Sequence, residues 1–171
     1  MKPSLLVIGH GTHGKDEFTK LLCQELPELT FTSSSWVFAE KMFDLFGGCS
    51  FYPSVEDCYL DRVNNREIWR DKISEYNLEN PARLTAEILA VSNIYIGLRT
   101  LREYKAAEKL FDFIFYVDAM VRKQYIDSTF EVMYDKKTMI LIDNNKDLEH
   151  LGHQAKIAAE IIKGKANLLC L

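Results

Sequence analysis

A glycine-rich loop near the start of the chain constrains the fold more than any other feature of the sequence. The apolar residues 4–8 are typical of a strand buried on both faces, and a helical pattern follows over residues 15–25. Between them, the segment Gly9-His10-Gly11-Thr12-His13-Gly14-Lys15 matches Gly-x-x-x-x-Gly-Lys. Glycines at this spacing let backbone N–H groups turn inward around phosphate oxygens, while the lysine reaches the β- and γ-phosphates. The sequence therefore predicts a strand, a phosphate-binding loop and a helix.

The residue after Lys15 departs from this pattern. Ser or Thr is usual there, because its hydroxyl binds Mg²⁺, but this chain has Asp16 followed by Glu17. A carboxylate can also hold Mg²⁺, directly or through water, so we expect Asp16 to be the metal ligand. The residues expected to bind ATP are Gly9, His10, Gly11, Thr12, His13, Gly14, Lys15 and Asp16. A degenerate loop that binds no nucleotide is the alternative.

Short β-rich runs alternate with longer helical patterns along the chain, which is typical of α/β folds built around a parallel sheet. Strands are expected at residues 4–8, 29–32, 93–97, 113–117 and 139–142. Helices are expected at residues 15–25, 35–46, 62–76, 81–91, 100–110 and 146–163, with Gly47-Gly48 ending the second and irregular chain over 49–60. The stretch 33–91 thus holds three helices and no strand, and we expect it to lie over one edge of the sheet.

The composition of the chain argues against several classes of binding partner. Twenty-five acidic against 21 basic residues leave a net charge of −4, which argues against a broad cationic surface for nucleic acid or anionic lipid. No apolar run approaches the ~18 residues needed to span a bilayer. The four cysteines form no Cys-x-x-Cys pair, so they predict reduced thiols rather than a disulfide framework or a zinc site. We expect a cytoplasmic protein with no membrane partner.

The Gly-Lys-Asp sequence at residues 14–16 resembles the phosphate loop of the deoxynucleoside monophosphate kinases of tailed phages and related P-loop kinases. Two more segments are similar to that group: Arg99 with Glu103 after the third strand, and residues 140–145, which look like the closing strand and adenine-side loop of nucleotide and dephospho-coenzyme A kinases. The resemblance implies a three-layer α/β/α P-loop fold with strand order 2-3-1-4-5 and a helical acceptor-side insertion. It also implies ATP and Mg²⁺ as cofactors, Asp143 and Asn144 beside the adenine, and the host cytoplasm if the chain is phage-encoded.

Phosphoryl transfer asks a protein mainly for positioning and positive charge, so arginines near the loop are the next candidates. Arg99 follows the carboxyl end of a predicted central strand, where ligands bind in open α/β sheets. Arg122 follows the fourth strand, where short-lid kinases of the resembled group place a transition-state arginine. We expect Lys15, Arg99 and Arg122 to be the catalytic residues.

The acceptor side is expected within a helical region at about residues 33–91 of a single domain spanning residues 1–171. Arg62, Arg66 and Arg70 recur every four residues, which predicts one helix face that could grip the acceptor phosphate, with Tyr59 and Trp69 stacking a base. The alternative is a solvated face paired with neighbouring acids. The expected substrate-binding residues are Ser33, Ser34, Ser35, Arg66, Arg70 and Arg99, although the serines could equally be helix caps.

The favoured interpretation is transfer of the γ-phosphoryl of ATP to a nucleotide, converting a deoxynucleoside monophosphate to the diphosphate. The first alternative is a kinase acting on a hydroxymethylated pyrimidine base in DNA, where Glu40 or Asp57 would take the hydroxyl proton. The second is a non-catalytic nucleotide-binding module. The expected partner is a nucleotide, with DNA only under the first alternative, and the chain is expected to be a monomer or homodimer.

Overall fold

The computed structural model describes residues 2–45 and 51–168, and side chains within them except at 45 and 166–168. Its five strands form one parallel sheet in the order β2-β3-β1-β4-β5. They are β1 (Leu5–Ile8), β2 (Phe31–Ser33), β3 (Ile94–Ile96), β4 (Phe113–Asp118) and β5 (Ile140–Asp143). The predicted fold class and strand order are confirmed.

Eight α-helices connect the strands in the described part of the chain. They are α1 (Lys15–Glu25), α2 (Ser34–Leu45), α3 (Val55–Asp61), α4 (Arg66–Tyr76), α5 (Arg83–Val91), α6 (Leu101–Ala107), α7 (Met120–Lys123) and α8 (Leu148–Leu168), with a 3₁₀ turn at Glu108–Leu110. No helix among the described residues is long and apolar enough to cross a membrane.

Alternate residues of the central strand face the two helical layers. On one face, Leu5 and Val7 belong to a buried cluster with Phe18 and Leu22 of α1 and with Leu151, Ala155 and Ala158 of α8. On the other face, Leu6 and Ile8 join Phe38, Met42, Leu84 and Ile88 from α2 and α5. Burying a large aliphatic or aromatic side chain completely stabilises the fold by roughly 1.5–3 kcal/mol. One buried core therefore covers each face of the sheet. Together the two cores fix the carboxyl ends of the strands along one edge of the sheet.

The helical stretch after β2 differs from the prediction in three ways. It covers a face of the sheet rather than an edge, because Phe38 and Ile88 pack against β1. Its described part contains four helices instead of three, since residues predicted to be irregular form α3, capped by the Ser54 hydroxyl accepting from the Asp57 N–H. The predicted helix 62–76 begins only at Arg66, after a turn. The predicted stop at Gly47-Gly48 lies outside the described residues.

Candidate active site

The phosphate loop, residues 9–15, joins β1 to α1 and needs its glycines for two separate reasons. Gly9 has φ of 143°, and a Cβ there would lie 2.3 Å from the carbonyl oxygen of Val117 on β4. Gly14 has φ of 88°, and a Cβ there would lie 2.3 Å from Nδ2 of Asn144. Both conformations disfavour L side chains, and both approaches exclude a methyl group. The loop is therefore held between β4 and the end of β5, in the place that the sequence predicts.

Lys15 begins α1, and its side chain turns back into the loop. Its Nζ donates hydrogen bonds to the carbonyl oxygens of Gly9, at 2.9 Å, and His10, at 2.7 Å. Burial disfavours the ammonium form and the Arg99 charge repels it, which together lower the pKa of Lys15 to about 8, although Asp16 and Asp127 oppose the shift. Two carbonyl oxygens therefore hold the amine at the loop. The oxygens of a bound polyphosphate could replace them as its hydrogen-bond acceptors.

Asp16 lies exposed in the first turn of α1, beside Glu17. The described residues include no cluster of three or more His, Cys, Asp or Glu able to hold a metal ion. Mg²⁺ commonly binds proteins through one or two carboxylates while substrate phosphates and water supply its other ligands. A single carboxylate at the loop fits Mg²⁺ that arrives with a nucleotide.

The two histidines of the loop attach it to the chain that follows β4. The buried His13 ring accepts a hydrogen bond at Nδ1 from the Ala119 N–H, at 3.1 Å, and its Nε2 donates to the Tyr125 carbonyl, at 3.2 Å. These partners assign the proton to Nε2, and burial together with the His10 charge lowers the pKa of His13. His10 Nδ1 accepts from the Asp127 N–H at 3.2 Å. Both side chains, predicted as nucleotide contacts, act here as tethers of the loop.

Arg99 lies beside the phosphate loop, as its position after β3 predicts. Its guanidinium forms an ion pair with Asp127 and donates to the Thr129 hydroxyl at 2.7 Å. Burial favours the neutral acid, but hydrogen bonds from Thr129 and the charge of Arg99 outweigh it and lower the pKa of Asp127. The structure therefore brings Lys15, Arg99 and an ionised carboxylate together at the loop. No sequence pattern singled out Asp127.

A cavity of about 260 Å³ adjoins the loop on the β5 side. Thr12, Gly14, Arg122, Lys123, Lys146 and Leu148 contribute to its lining. Asn144 also lines it, and this buried side chain donates from Nδ2 to the His13 carbonyl at 2.8 Å. Arg122 donates from Nε to the Asn144 carbonyl at 3.2 Å, whereas Asp143 pairs with His150 Nε2, also at 3.2 Å. Arg122 and Asn144 thus meet beside the loop, while Asp143 turns toward α8.

The three serines at the junction of β2 and α2 have different surroundings. Ser33 caps α2, because its hydroxyl accepts from the Trp36 N–H at 3.1 Å. Ser34 is buried, and its hydroxyl lies 2.7 Å from the position that a Cβ on Gly97 would take. Ser35 is half-buried. Because Gly97 directly follows β3 and precedes Arg99 by two residues, Ser34 lies close to the turn that carries this arginine.

The arginines at 62, 66 and 70 do not share one helix face, contrary to the prediction. Arg62 lies in the turn after α3, with its guanidinium 3.6 Å from the centre of the Tyr59 ring. Arg66 and Arg70 are exposed on α4, and Arg70 pairs with Asp71 of the same helix. The turn between α3 and α4 separates the first arginine from the other two.

Trp69 cannot stack a base, because it is only 4% exposed and packs edge-on to Phe38 in the core. Trp36 is 45% exposed instead and meets the Tyr59 ring edge-to-face at 5.0 Å. Together with the half-buried Arg62 these rings form a partly exposed aromatic surface, here called the Trp36 surface. The two tryptophans therefore differ in exposure, and the sequence around each of them does not predict that difference.

The two carboxylates proposed as proton acceptors for a hydroxyl substrate have other surroundings. Asp57 lies in the first turn of α3 and accepts a hydrogen bond from the hydroxyl of the cap residue Ser54 at 2.6 Å. Glu40 is exposed on α2. The buried carboxylate that the structure places beside Arg99 at the phosphate loop is Asp127.

Comparisons with known proteins find likeness in structure but not in sequence. No protein-family model matches the chain, and no curated protein is significantly similar in sequence. A gluconokinase from Sinorhizobium meliloti 1021 has a similar structure, with 12% sequence identity over 98% of this chain and 97% of that one and a TM-score of 0.50. A sugar kinase from Janibacter sp. HTCC2649 aligns at 16% identity over 91% and 92% of the two chains, with a TM-score of 0.45. The likeness to the gluconokinase concerns the fold alone.

Proposed function

We propose that this chain is an ATP-dependent phosphotransferase whose acceptor is a nucleotide, specifically a deoxynucleoside monophosphate that becomes the diphosphate. The observation that carries the proposal is the phosphate loop, with the Lys15 amine folded into it and Arg99 beside it. The helix α1 adds the positive end of its dipole to the same place. The adjoining cavity next to Arg122 and Asn144 would take the adenosine end of ATP.

The chemistry requires little covalent participation from the protein. Lys15 and the loop amides bind the donor phosphates, and Arg99 compensates the charge that spreads over the transferred group. Arg122 supports the donor from the cavity side. Mg²⁺, when it is bound with ATP, neutralises charge on the phosphates, and Asp16 is the carboxylate that would hold it. A phosphate acceptor is already an anionic nucleophile, so no general base is needed.

The Trp36 surface supports a nucleotide as the acceptor. A base stacked on an aromatic side chain contributes roughly 1–3 kcal/mol to binding, and the exposed Trp36 offers such a ring within one helical turn of Ser33. Ser33, Ser34 and Ser35 would contact the sugar or phosphate. Arg66 and Arg70 would provide the remaining phosphate contacts through charge-assisted hydrogen bonds.

A coupled ADP-release screen tests the proposal. The acceptors are the four common deoxynucleoside monophosphates, gluconate, and duplex DNA containing 5-hydroxymethyluracil. We expect turnover with at least one deoxynucleoside monophosphate, loss of it in Lys15→Ala, and full activity in Lys20→Ala, which removes an exposed lysine from the same helix. Turnover with gluconate or DNA alone would refute the acceptor, and ATP binding without turnover on any acceptor would indicate a non-catalytic module.

A further inference from the structure

Asp127 is a buried carboxylate at the phosphate loop that the proposed mechanism does not use. Its Oδ2 pairs with Arg99 and lies 3.1 Å from the position that a Cβ on Gly11 would take. Its Oδ1 accepts from the Thr129 N–H at 3.0 Å and from the Thr129 hydroxyl at 2.6 Å. A buried charge survives in a protein only when it is well paired, and both oxygens of Asp127 meet that condition.

The chain around Asp127 is fixed on both sides of the site. On the loop side, its own N–H donates to His10, and the neighbouring Tyr125 carbonyl accepts from His13. On the other side, Glu131 donates its N–H to the Arg99 carbonyl at 2.9 Å and accepts from the Leu101 N–H at 2.9 Å. Asp127 is therefore held in place between the phosphate loop and the turn that carries Arg99.

A carboxylate in this position has two opposing effects on a polyanionic ligand. It orients the Arg99 guanidinium, which the Thr129 hydroxyl contacts from the same side. It also adds negative charge close to Lys15, whose pKa it raises, at the place where donor phosphates would bind. The first effect favours turnover, and the second weakens nucleotide binding.

We propose that Asp127 is the positioning residue for Arg99 in phosphoryl transfer, and that it holds this arginine at the expense of affinity for ATP. The inference rests on the proposed function, since it assigns Arg99 to the transition state. It predicts that neutralising Asp127 changes binding and turnover in opposite directions. A carboxylate that only stabilised the fold would weaken both.

The test compares Asp127→Asn with Asp135→Asn, which removes the charge of an exposed carboxylate further along the same segment, where it accepts from the Lys137 N–H of its own turn. ATP affinity is measured by titration calorimetry at low ionic strength, and kcat by ADP release. We expect Asp127→Asn to bind ATP about tenfold more tightly, because a repelling charge near the phosphates is gone. Its kcat should fall at least about tenfold, since Arg99 loses a charge-assisted partner. Asp135→Asn should match wild type in both measurements.

Two further variants keep the proposal falsifiable if Asp127→Asn folds poorly. Thr129→Val keeps the carboxylate but removes a contact of Arg99, so kcat should fall without any gain in ATP affinity. The Arg99→Ala/Asp127→Asn double variant should turn over no more slowly than Arg99→Ala alone, because the two residues act as a unit.

Two results would overturn the inference. Weaker ATP binding by correctly folded Asp127→Asn would mean that the carboxylate serves the fold. Unchanged ATP affinity together with loss of the acidic limb of the pH–rate profile would make it a general base. Failure of the proposed function looks different, because wild type would then bind ATP without turning over, and the affinity comparison would still be decisive.

Discussion

The amino group of Lys15 should gain a proton when ATP binds at alkaline pH. In the ligand-free protein its pKa is lowered to about 8, because the amine is buried among loop carbonyls and the charge of Arg99 lies nearby. A triphosphate bound in the loop would stabilise the ammonium form. The pKa should then return toward the ordinary value of 10.5, and binding should draw a proton from the buffer.

The size of the effect follows from the free-protein pKa. With a pKa of about 8, the uncharged fraction of Lys15 is about 0.1 at pH 7, about 0.5 at pH 8 and about 0.9 at pH 9. Proton uptake per ATP should approach these fractions. The apparent Kd for ATP should rise about twofold by pH 8 and about tenfold by pH 9, because only the protonated form binds well.

Titration calorimetry in two buffers of different ionisation enthalpy measures this uptake directly. The phosphates of ATP are already deprotonated above pH 8, so they contribute little. Lys20→Ala is the matched control, since this exposed lysine lies on the same helix and its loss should leave the uptake unchanged. A measurable Kd at pH 8.5 with no dependence of binding enthalpy on buffer would refute the argument that Lys15 meets the phosphates.

Two further predictions concern the loop glycine and the acceptor arginines. Gly9→Ala should lower the free energy of unfolding by at least about 2 kcal/mol, because its Cβ would meet a backbone oxygen at 2.3 Å. Gly152 lies in open space on α8, so Gly152→Ala should raise the free energy of unfolding by about 0.5–1 kcal/mol. Chemical denaturation checks the pair, and equal effects would contradict it. Arg66→Ala and Arg70→Ala should each raise the acceptor KM about tenfold and spare the KM for ATP. If both variants had the steady-state kinetics of wild type, α4 would not bind the acceptor and would have only a structural role.

Local sequence signals were sufficient for the phosphate loop and the sheet. An apolar run, glycines at fixed spacing and a helical pattern occupy one short segment, and the structure places β1 and α1 within a residue of the predicted bounds. The five strands are visible in the apolar pattern, whereas their order in the sheet, which the structure confirms, came from the resemblance to P-loop kinases. The helix α3 was missed, and the next helix was predicted to begin at Arg62 instead of Arg66, since the spacing of the arginines is compatible with one helix from residue 62 onward.

The remaining site features depend on contacts between distant parts of the chain. Asp127 meets Arg99 across 28 positions, and His13 meets Tyr125 across 112. Periodicity and spacing carry no information about such pairs. The same limit explains the tryptophans, because helical patterns around Trp36 and Trp69 look alike, and only the assembled core determines which ring is buried.

The most direct test of the central claim follows the transferred phosphoryl group itself. ATP labelled at the γ-phosphate is incubated with the protein, Mg²⁺ and the deoxynucleoside monophosphate that gives the fastest ADP release, and the products are separated by chromatography. We predict that the label appears in the deoxynucleoside diphosphate as fast as ADP forms, and that Lys15→Ala stops both. Label that remains in ATP, or that appears only as inorganic phosphate, would contradict the assignment of this chain as a nucleotide kinase.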